Sequence, residues 1–157
     1  MSAFLLTSVL IAGAAPAGLG GLPVIEDFDT DAANWFDGPG AAVADWHANG
    51  GPDGGAYISS TMTVPDPAPP FGLTMLRGED FLDSSNDAFV GDWIAAGATS
   101  LTFSVRHDGN APIDVFARFA SPFNFPGAAG VSFVPVLPNV WTEITIDLTE
   151  GSPQILS

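Results

Sequence analysis

Short segments in which apolar and polar residues alternate, separated by clusters of glycine and proline, most constrain the fold of this chain. Leu101, Phe103 and Val105 take one side of a predicted strand, and polar residues take the other. Residues 141–148 alternate in the same way. Eighteen glycines and 14 prolines interrupt the 157 residues, and no apolar period of 3.6 residues extends over three helical turns. The sequence therefore predicts an all-β fold.

The alternating segments predict about eight or nine antiparallel strands, each with one buried and one solvated face. Such strands form a two-layer β-sandwich, and we expect a jelly roll. A chain that ends so soon after its last clear strand is also compatible with a jelly roll that lacks its last strands. The predicted strands are residues 24–28, 42–47, 56–62, 73–76, 87–90, 100–107, 113–119, 131–136 and 141–148, and residues 93–96 are predicted to form one helical turn.

The charge balance excludes several classes of partner and site. The chain has 18 acidic residues, three arginines and no lysine, which gives a formal net charge of −15. It therefore lacks the basic surface that nucleic acid or an anionic membrane requires. The absence of cysteine excludes disulfides, thiolate chemistry and cysteine-based zinc sites. A strongly acidic surface also disfavours anionic glycans.

The N-terminal segment is apolar and uncharged. Residues 3–15 form an apolar run of 13 residues, and residues 15–17 (APA) follow the small-x-small pattern of a leader cleavage site. A helix needs about 20 residues to cross a bilayer, so no membrane span is predicted. We therefore predict a leader at residues 1–21, a single β-sandwich domain at 22–157, and a secreted or cell-surface protein. The alternative is that the run is a buried first strand.

Three stretches of the sequence resemble a known family. They are residues 26–29 (EDFD) followed by Trp35, residues 49–57 (NGGPDGGAY), and residues 88–93 (AFVGDW) followed by 101–106 (LTFSVR). Together these stretches resemble the laminin IV type A (laminin B) domains and related galactose-binding-like jelly-roll modules of secreted bacterial proteins. The resemblance implies a jelly-roll fold and a role in extracellular binding or adhesion.

Acidic residues near the start of the domain predict a calcium site. Carboxylates alternate along residues 27–31, which is the opening spacing of a calcium loop. The remainder of an EF-hand is absent, because Ala32 and Gly38 occupy the positions of its glycine and its bidentate glutamate. These carboxylates either form a solvated acidic loop that caps a strand or hold a structural calcium ion in the jelly roll, and both interpretations stay open. The candidate ligands are Glu26, Asp27, Asp29 and, from another strand, Asp147.

Aromatic residues predict a carbohydrate-binding surface, because flat rings can stack on pyranose faces while amides and carboxylates bind hydroxyls. Trp93 and Trp141 are assigned to the core. Residues 121–126 place two phenylalanines in a loop bounded by proline, which is either an exposed contact surface or a plug folded back on the domain. The candidate ligand-binding residues are Trp35, Trp46, Tyr57, Phe123, Asn124 and Phe125.

Catalysis is not predicted. A glycoside hydrolase needs two carboxyl groups roughly 5 to 9.5 Å apart, whereas Glu143 and Asp147 on one strand have Cα atoms about 13 Å apart. His47 and His107 are the only imidazoles, and neither lies in a nucleophile-elbow or zinc-helix motif. We therefore predict that the protein is not an enzyme.

Two functions follow from these patterns. The first is a non-catalytic binding or adhesion module whose partner is a neutral polysaccharide or cell-surface glycan. The alternative is a self-assembling structural subunit of an extracellular filament, sheath or matrix. In that case residues 3–15 are retained and add a strand to a neighbouring copy.

Overall fold

The fold is all-β and antiparallel, as predicted. The computed structural model describes residues 2–13, 23–37, 42–62, 76–78, 80–120 and 127–156, and its strands form three antiparallel sheets. The finer prediction of a jelly roll stays a prediction. The strands are β1 Ser2–Gly13, β2 Val24–Glu26, β3 Phe36–Asp37, β4 Ala42–Val43, β5 Asp45–His47, β6 Tyr57–Met62, β7 Leu76–Arg77, β8 Ala98–His107, β9 Phe116–Phe119, β10 Ala128–Val131, β11 Thr142–Asp147 and β12 Ile155–Leu156.

The largest sheet has six strands, in the order β11-β8-β1-β6-β5, with β2 also paired to β1. One edge of β1 pairs with β8 from Phe4 to Gly13. The other edge is shared, because β6 pairs with β1 up to Leu6 and β2 pairs with it from Val9. A strand from the apolar N-terminal run thus occupies the centre of the sheet. The interpretation of residues 1–21 as a leader stays a prediction.

The core lies on one face of this sheet. The alternation predicted for β8 is confirmed, since Leu101, Phe103 and Val105 are buried and the residues between them are half-exposed. Ile144 and Ile146 of β11 are also buried, at 1% and 0% exposure. The alternation therefore sets which face of β8 and β11 is buried, and their polar residues form the outer face of the sheet.

A second sheet, in the order β12-β10-β9, packs over β11. The contact is close, because a Cβ atom added at Gly130 would lie 2.7 Å from Cγ2 of Ile146. Beside it, the rings of Trp93 and Phe119 meet edge to face, with centroids 5.1 Å apart. A glycine at position 130 therefore sets how closely the two sheets approach.

The third sheet, in the order β4-β3-β7, is small, and Trp35 immediately precedes its central strand. Trp35 packs between Phe28 and Phe89, with ring centroids 5.7 Å and 6.1 Å away. Its indole N–H donates to Oγ of Ser85 at 2.8 Å. Both the ring and the polar atom of Trp35 are therefore engaged within the domain. Two short 3₁₀ turns, at Asp80–Leu82 and Ser84–Asp87, complete this end of the domain.

The prediction of a strand at residues 87–90 is wrong, because these residues continue a 3₁₀ turn. Asp83, Ser85, Asn86 and Asp87 all have left-handed φ angles, between 51° and 57°. Left-handed residues cannot extend a strand, and short polar side chains tolerate this conformation better than most.

Other strand boundaries also differ from the prediction. The strand predicted at 131–136 is observed earlier, as β10, after which Val136 makes a single bridge to Ile113. Residues 42–47 divide between β4 and β5, which belong to different sheets. The short β12 was not predicted. Residues 93–96 do form a helical turn, in which the N–H of Ala96 donates to the carbonyl of Asp92.

Part of the predicted strand at 73–76 lies outside the described residues, as does the proline-rich connection before it. Within the described ranges, no helix is both long enough and apolar enough to span a bilayer.

Candidate functional site

Three half-buried aromatic side chains cluster on the outer face of the six-stranded sheet. His47 stacks on Tyr57, with ring centroids 4.4 Å apart and planes inclined by 13°. Trp141 meets Tyr57 edge to face, at 5.6 Å and 71°. We call His47, Tyr57 and Trp141 the aromatic patch. Each of the three residues is partly exposed.

Strand pairing and alternation position the aromatic patch. His47 and Tyr57 are directly paired across the β5–β6 ladder, which places their side chains side by side on one face. Trp141 immediately precedes β11 and has the same parity as Glu143, whose side chain is exposed. The core-facing residues of β11 have the opposite parity. Trp141 therefore belongs to the outer face, where it reaches Tyr57.

The loop between β5 and β6 holds the rings in place. The indole N–H of Trp141 donates to the carbonyl of Gly50 at 3.0 Å. Gly50 has a φ of +102°, and a Cβ atom there would lie 3.3 Å from Cε1 of Tyr57. The loop is closed by the N–H of Gly51, which donates to the carbonyl of Gly55 at 2.9 Å. Glycine at position 50 thus allows the backbone to approach both rings.

His47 also contacts a serine. Its Nε2 lies 2.9 Å from Oγ of Ser59, a distance suited to a base and a nucleophile. A hydrolytic triad further needs a carboxylate that holds Nδ1. Among the described residues no carboxylate makes that bond, and Ser59 lies within a strand at 9% exposure. The pair fixes the orientation of the imidazole, and the absence of enzymatic activity stays a prediction.

The second histidine is buried and fully bonded. His107 is 3% exposed, and its Nδ1 accepts a hydrogen bond from the N–H of Gly109 at 3.1 Å. Its Nε2 therefore carries the proton and donates to the carbonyl of Val136, 3.0 Å away. His107 joins the end of β8 to the loop that precedes β11.

An acidic cleft of about 340 Å³ lies between the loop after β2 and the 3₁₀ turns. The N–H of Ser85 donates to the carbonyl of Ala33 at 2.8 Å, and Oγ of Ser84 donates to the carbonyl of Asn34 at 2.7 Å. These bonds join the loop after β2 to the 3₁₀ turns. The lining residues are Glu26, Thr30, Asp31, Ala33, Asn34, Asp83, Ser85 and Asn86.

Three of the four predicted calcium ligands, Glu26, Asp27 and Asp29, lie at the end of β2 and in the loop after it, and the fourth, Asp147, lies on another strand. Glu26 lines the acidic cleft, and Oε1 of Glu26 accepts from the N–H of Phe28 at 2.8 Å. Asp147 lies on β11, which β8 and β1 separate from β2, so three strand spacings put it at least about 14 Å from Glu26. Throughout the part of the chain that the structure describes, no three Asp, Glu or His side chains form a group that could hold a metal ion.

Asp147 has local hydrogen bonds of its own. Its Oδ1 accepts from the backbone N–H of Thr149 at 2.9 Å and from the hydroxyl of the same residue at 2.7 Å. The backbone bond, followed by the hydroxyl bond, lowers the pKa of Asp147 below its usual value of 3.8. The carboxylate therefore caps the turn after β11, and the folded chain favours its ionised form.

The predicted ligand-binding residues fall in different places. Tyr57 lies in the aromatic patch. Trp46 has the opposite parity to His47 on β5, and its indole N–H donates to the carbonyl of Phe28 at 2.7 Å. Trp35 packs against the core. Phe123, Asn124 and Phe125 lie outside the described residues.

Trp141 lies in the aromatic patch and not in the core, where the sequence analysis predicts it. The signal was present in the alternation of β11, because Trp141 has the parity of the polar residues Glu143 and Thr145. Its contact with Tyr57 depends on the arrangement of the sheet, which local patterning does not specify.

No protein-family model, no curated protein and no solved structure matches the chain.

Proposed function

We propose that the protein is a non-catalytic binding module for a neutral carbohydrate, and that the aromatic patch is its binding surface. The observation that carries this proposal is the contact of Trp141 with Tyr57 at 5.6 Å on the outer face of the sheet. Half-exposed tryptophan and tyrosine rings offer a large apolar area together with a polar edge, which suits a ligand that has both. The resemblance to laminin IV type A domains implies the same kind of role at the cell surface.

The charges around the patch favour a neutral ligand. Asp45 and Asp53 are exposed on the strand and the loop that carry His47 and Gly50. Carboxylates accept hydrogen bonds from sugar hydroxyls, and they repel sulfated or carboxylated polymers. The formal charge of −15 adds to this repulsion at low salt.

Replacing Trp141 with alanine tests the proposal. The variant loses the largest ring of the patch, so we expect its affinity for a retained neutral polysaccharide to fall at least about tenfold, or roughly 1.4 kcal/mol. The full-length chain is incubated with a panel of soluble and insoluble polysaccharides, and affinity electrophoresis measures retention. Tyr57→Ala is expected to act in the same direction.

Phe116→Ala is the matched control, since this ring is 50% exposed on β9 in a different sheet. It is expected to retain normal binding. Equal retention of the wild type and the Trp141 variant would refute the proposed surface. Binding of no polymer by a folded wild-type protein would refute the function itself.

The calcium site is a separate proposal, with Glu26, Asp27 and Asp29 as the ligands that lie near one another in the chain. An ion bound only by the folded state raises stability by about 2.7 kcal/mol at a concentration 100-fold above its Kd. We therefore expect EGTA to lower the melting temperature and excess calcium to restore it. Glu26→Gln should abolish the calcium response, whereas Asp147→Asn should preserve it. A melting temperature that changes with neither EGTA nor calcium would exclude this site.

A second candidate function is a self-assembling subunit of an extracellular filament, sheath or matrix. The observation that favours it is the central position of β1, which contains most of the apolar N-terminal run. If β1 is retained in the mature protein, it is a main structural strand and not a discarded leader. Sequencing the N-terminus of the exported protein tests this candidate, because a start near Gly18 removes β1 and excludes its use between copies, whereas an intact β1 is required for it.

A further inference from the structure

The pairing of β1 on both of its edges carries an inference that rests on the second candidate function and specifies how copies would join. We propose that β1 is an exchangeable strand. The slot between β8 on one side and β6 with β2 on the other accepts β1 from a second copy of this chain. Assembly then proceeds by strand exchange, and the carbohydrate-binding proposal is independent of it.

The slot is energetically unfavourable without a strand, because removing β1 exposes two backbone edges at once. One is the edge of β8 that pairs with β1 from Ala98 to His107, and the other is formed by β6 and β2. Open edges offer unpaired N–H and C=O groups to any available strand. The core side chains of β8, including Phe103 and Val105, lie beside the slot and would gain exposure. An empty slot is therefore costly, and a strand must fill it.

Register makes a second copy of β1 the best occupant. Thr7 pairs with Ser104 and Val9 pairs with Phe103, so the ladder with β8 skips Ser8. At this same point the opposite edge of β1 changes partner, from β6 at Leu6 to β2 at Val9. An unrelated apolar strand would need the same irregularity at the same place to satisfy both neighbours. Only β1 itself has been shown to do so.

Exchange keeps all the contacts within the slot, because the strand from the neighbour makes the same ladders. The balance between closed monomers and exchanged assemblies is then set by chain concentration and by the segment joining β1 to β2. The joining segment, residues 14–22, has nine residues and spans at most about 30 Å, which limits how far β1 can reach toward a neighbouring copy. Chains of formal charge −15 repel one another, so salt is expected to promote exchange.

Engineered cysteines test this directly, since the natural chain has none. Thr7 and Ser104 are direct partners, and the Cα separation of such partners suits a disulfide. Thr7→Cys and Ser104→Cys full-length chains are mixed in denaturant, refolded together at high concentration and oxidised. We expect a disulfide-linked heterodimer on non-reducing gels. Its yield should be at least about tenfold higher than that from a mismatched mixture, whose second cysteine lies outside the slot.

The mismatched mixture combines Thr7→Cys with Glu150→Cys, an exposed position in the turn after β11. The double variant Thr7→Cys with Ser104→Cys controls for folding, because its closed monomer must form an internal bond that confirms the register. Heterodimer confined to the matched mixture supports exchange. Equal heterodimer in both mixtures, or none in either while the double variant closes, overturns it.

Light scattering of the wild-type chain separates this failure from the failure of the candidate function. Oligomers without the matched crosslink would overturn strand exchange and leave self-assembly through another surface. Monomers at every concentration and salt level tested would overturn both.

Discussion

Replacing Ile146 with alanine is expected to lower the free energy of unfolding by about 2 to 5 kcal/mol. Ile146 is 0% exposed and packs where the second sheet meets β11. Its loss leaves a cavity that two rigid sheets can close only in part, so both the transfer and the cavity terms apply. Urea denaturation followed by circular dichroism measures the change. Ile94→Ala is the control, since this side chain is 75% exposed and should cost less than about 0.5 kcal/mol.

A double-mutant cycle with Gly130 sharpens this prediction. Gly130→Ala alone places a methyl group 2.7 Å from Cγ2 of Ile146, so overpacking should cost about 1 to 3 kcal/mol. In the Ile146→Ala background that carbon is absent, and the new methyl group partly fills the cavity. The double variant should therefore be more stable than the two single effects predict together. Strict additivity would show that the sheets do not meet at this pair.

Replacing His107 with leucine is expected to cost about 2 to 3 kcal/mol. Leucine has a comparable volume and cannot bond to either the N–H of Gly109 or the carbonyl of Val136. Because His107 is 3% exposed, water does not readily replace the lost partners. The measurement is again the free energy of unfolding in urea.

His47→Leu is the matched substitution on the surface. His47 is half-buried, and its Nε2 bonds to a hydroxyl that can rotate to another partner. Its cost should be well below that of His107→Leu. If the two histidine variants lose the same stability, the buried hydrogen bonds of His107 contribute nothing specific.

Much of the core could be predicted from the sequence, because period-two alternation is a direct consequence of strand geometry. Residues 101–105 and 144–148 were assigned to the correct faces for this reason. Residues 87–90 were not, because left-handed backbone at Asp83 to Asp87 ends any extended structure, and apolar content alone does not reveal it. Strands of two residues, such as β3 and β12, are too short to leave a pattern.

The candidate site was only partly predictable. Tyr57 was identified from its type and its glycine-rich neighbourhood, whereas Trp141 was assigned to the core although its parity with Glu143 indicated the outer face. The contact between these rings joins residues 84 positions apart in the chain. β8 and β1 separate β11 from β6, and the loop at Gly50 contacts both rings, so the contact depends on a loop position that local patterning does not specify.

The central position of β1 also has a consequence for how the chain is made. Residue 13 is synthesised 94 residues before residue 107 completes β8, which pairs with one edge of β1 from Phe4 to Gly13. At about 5 to 20 residues per second, that interval lasts roughly 5 to 20 s. During this time an apolar segment without its main partner is open to capture by a chaperone or by the export machinery. Because β1 is synthesised before β8, these cellular factors can bind the N-terminal segment before its strand partner exists.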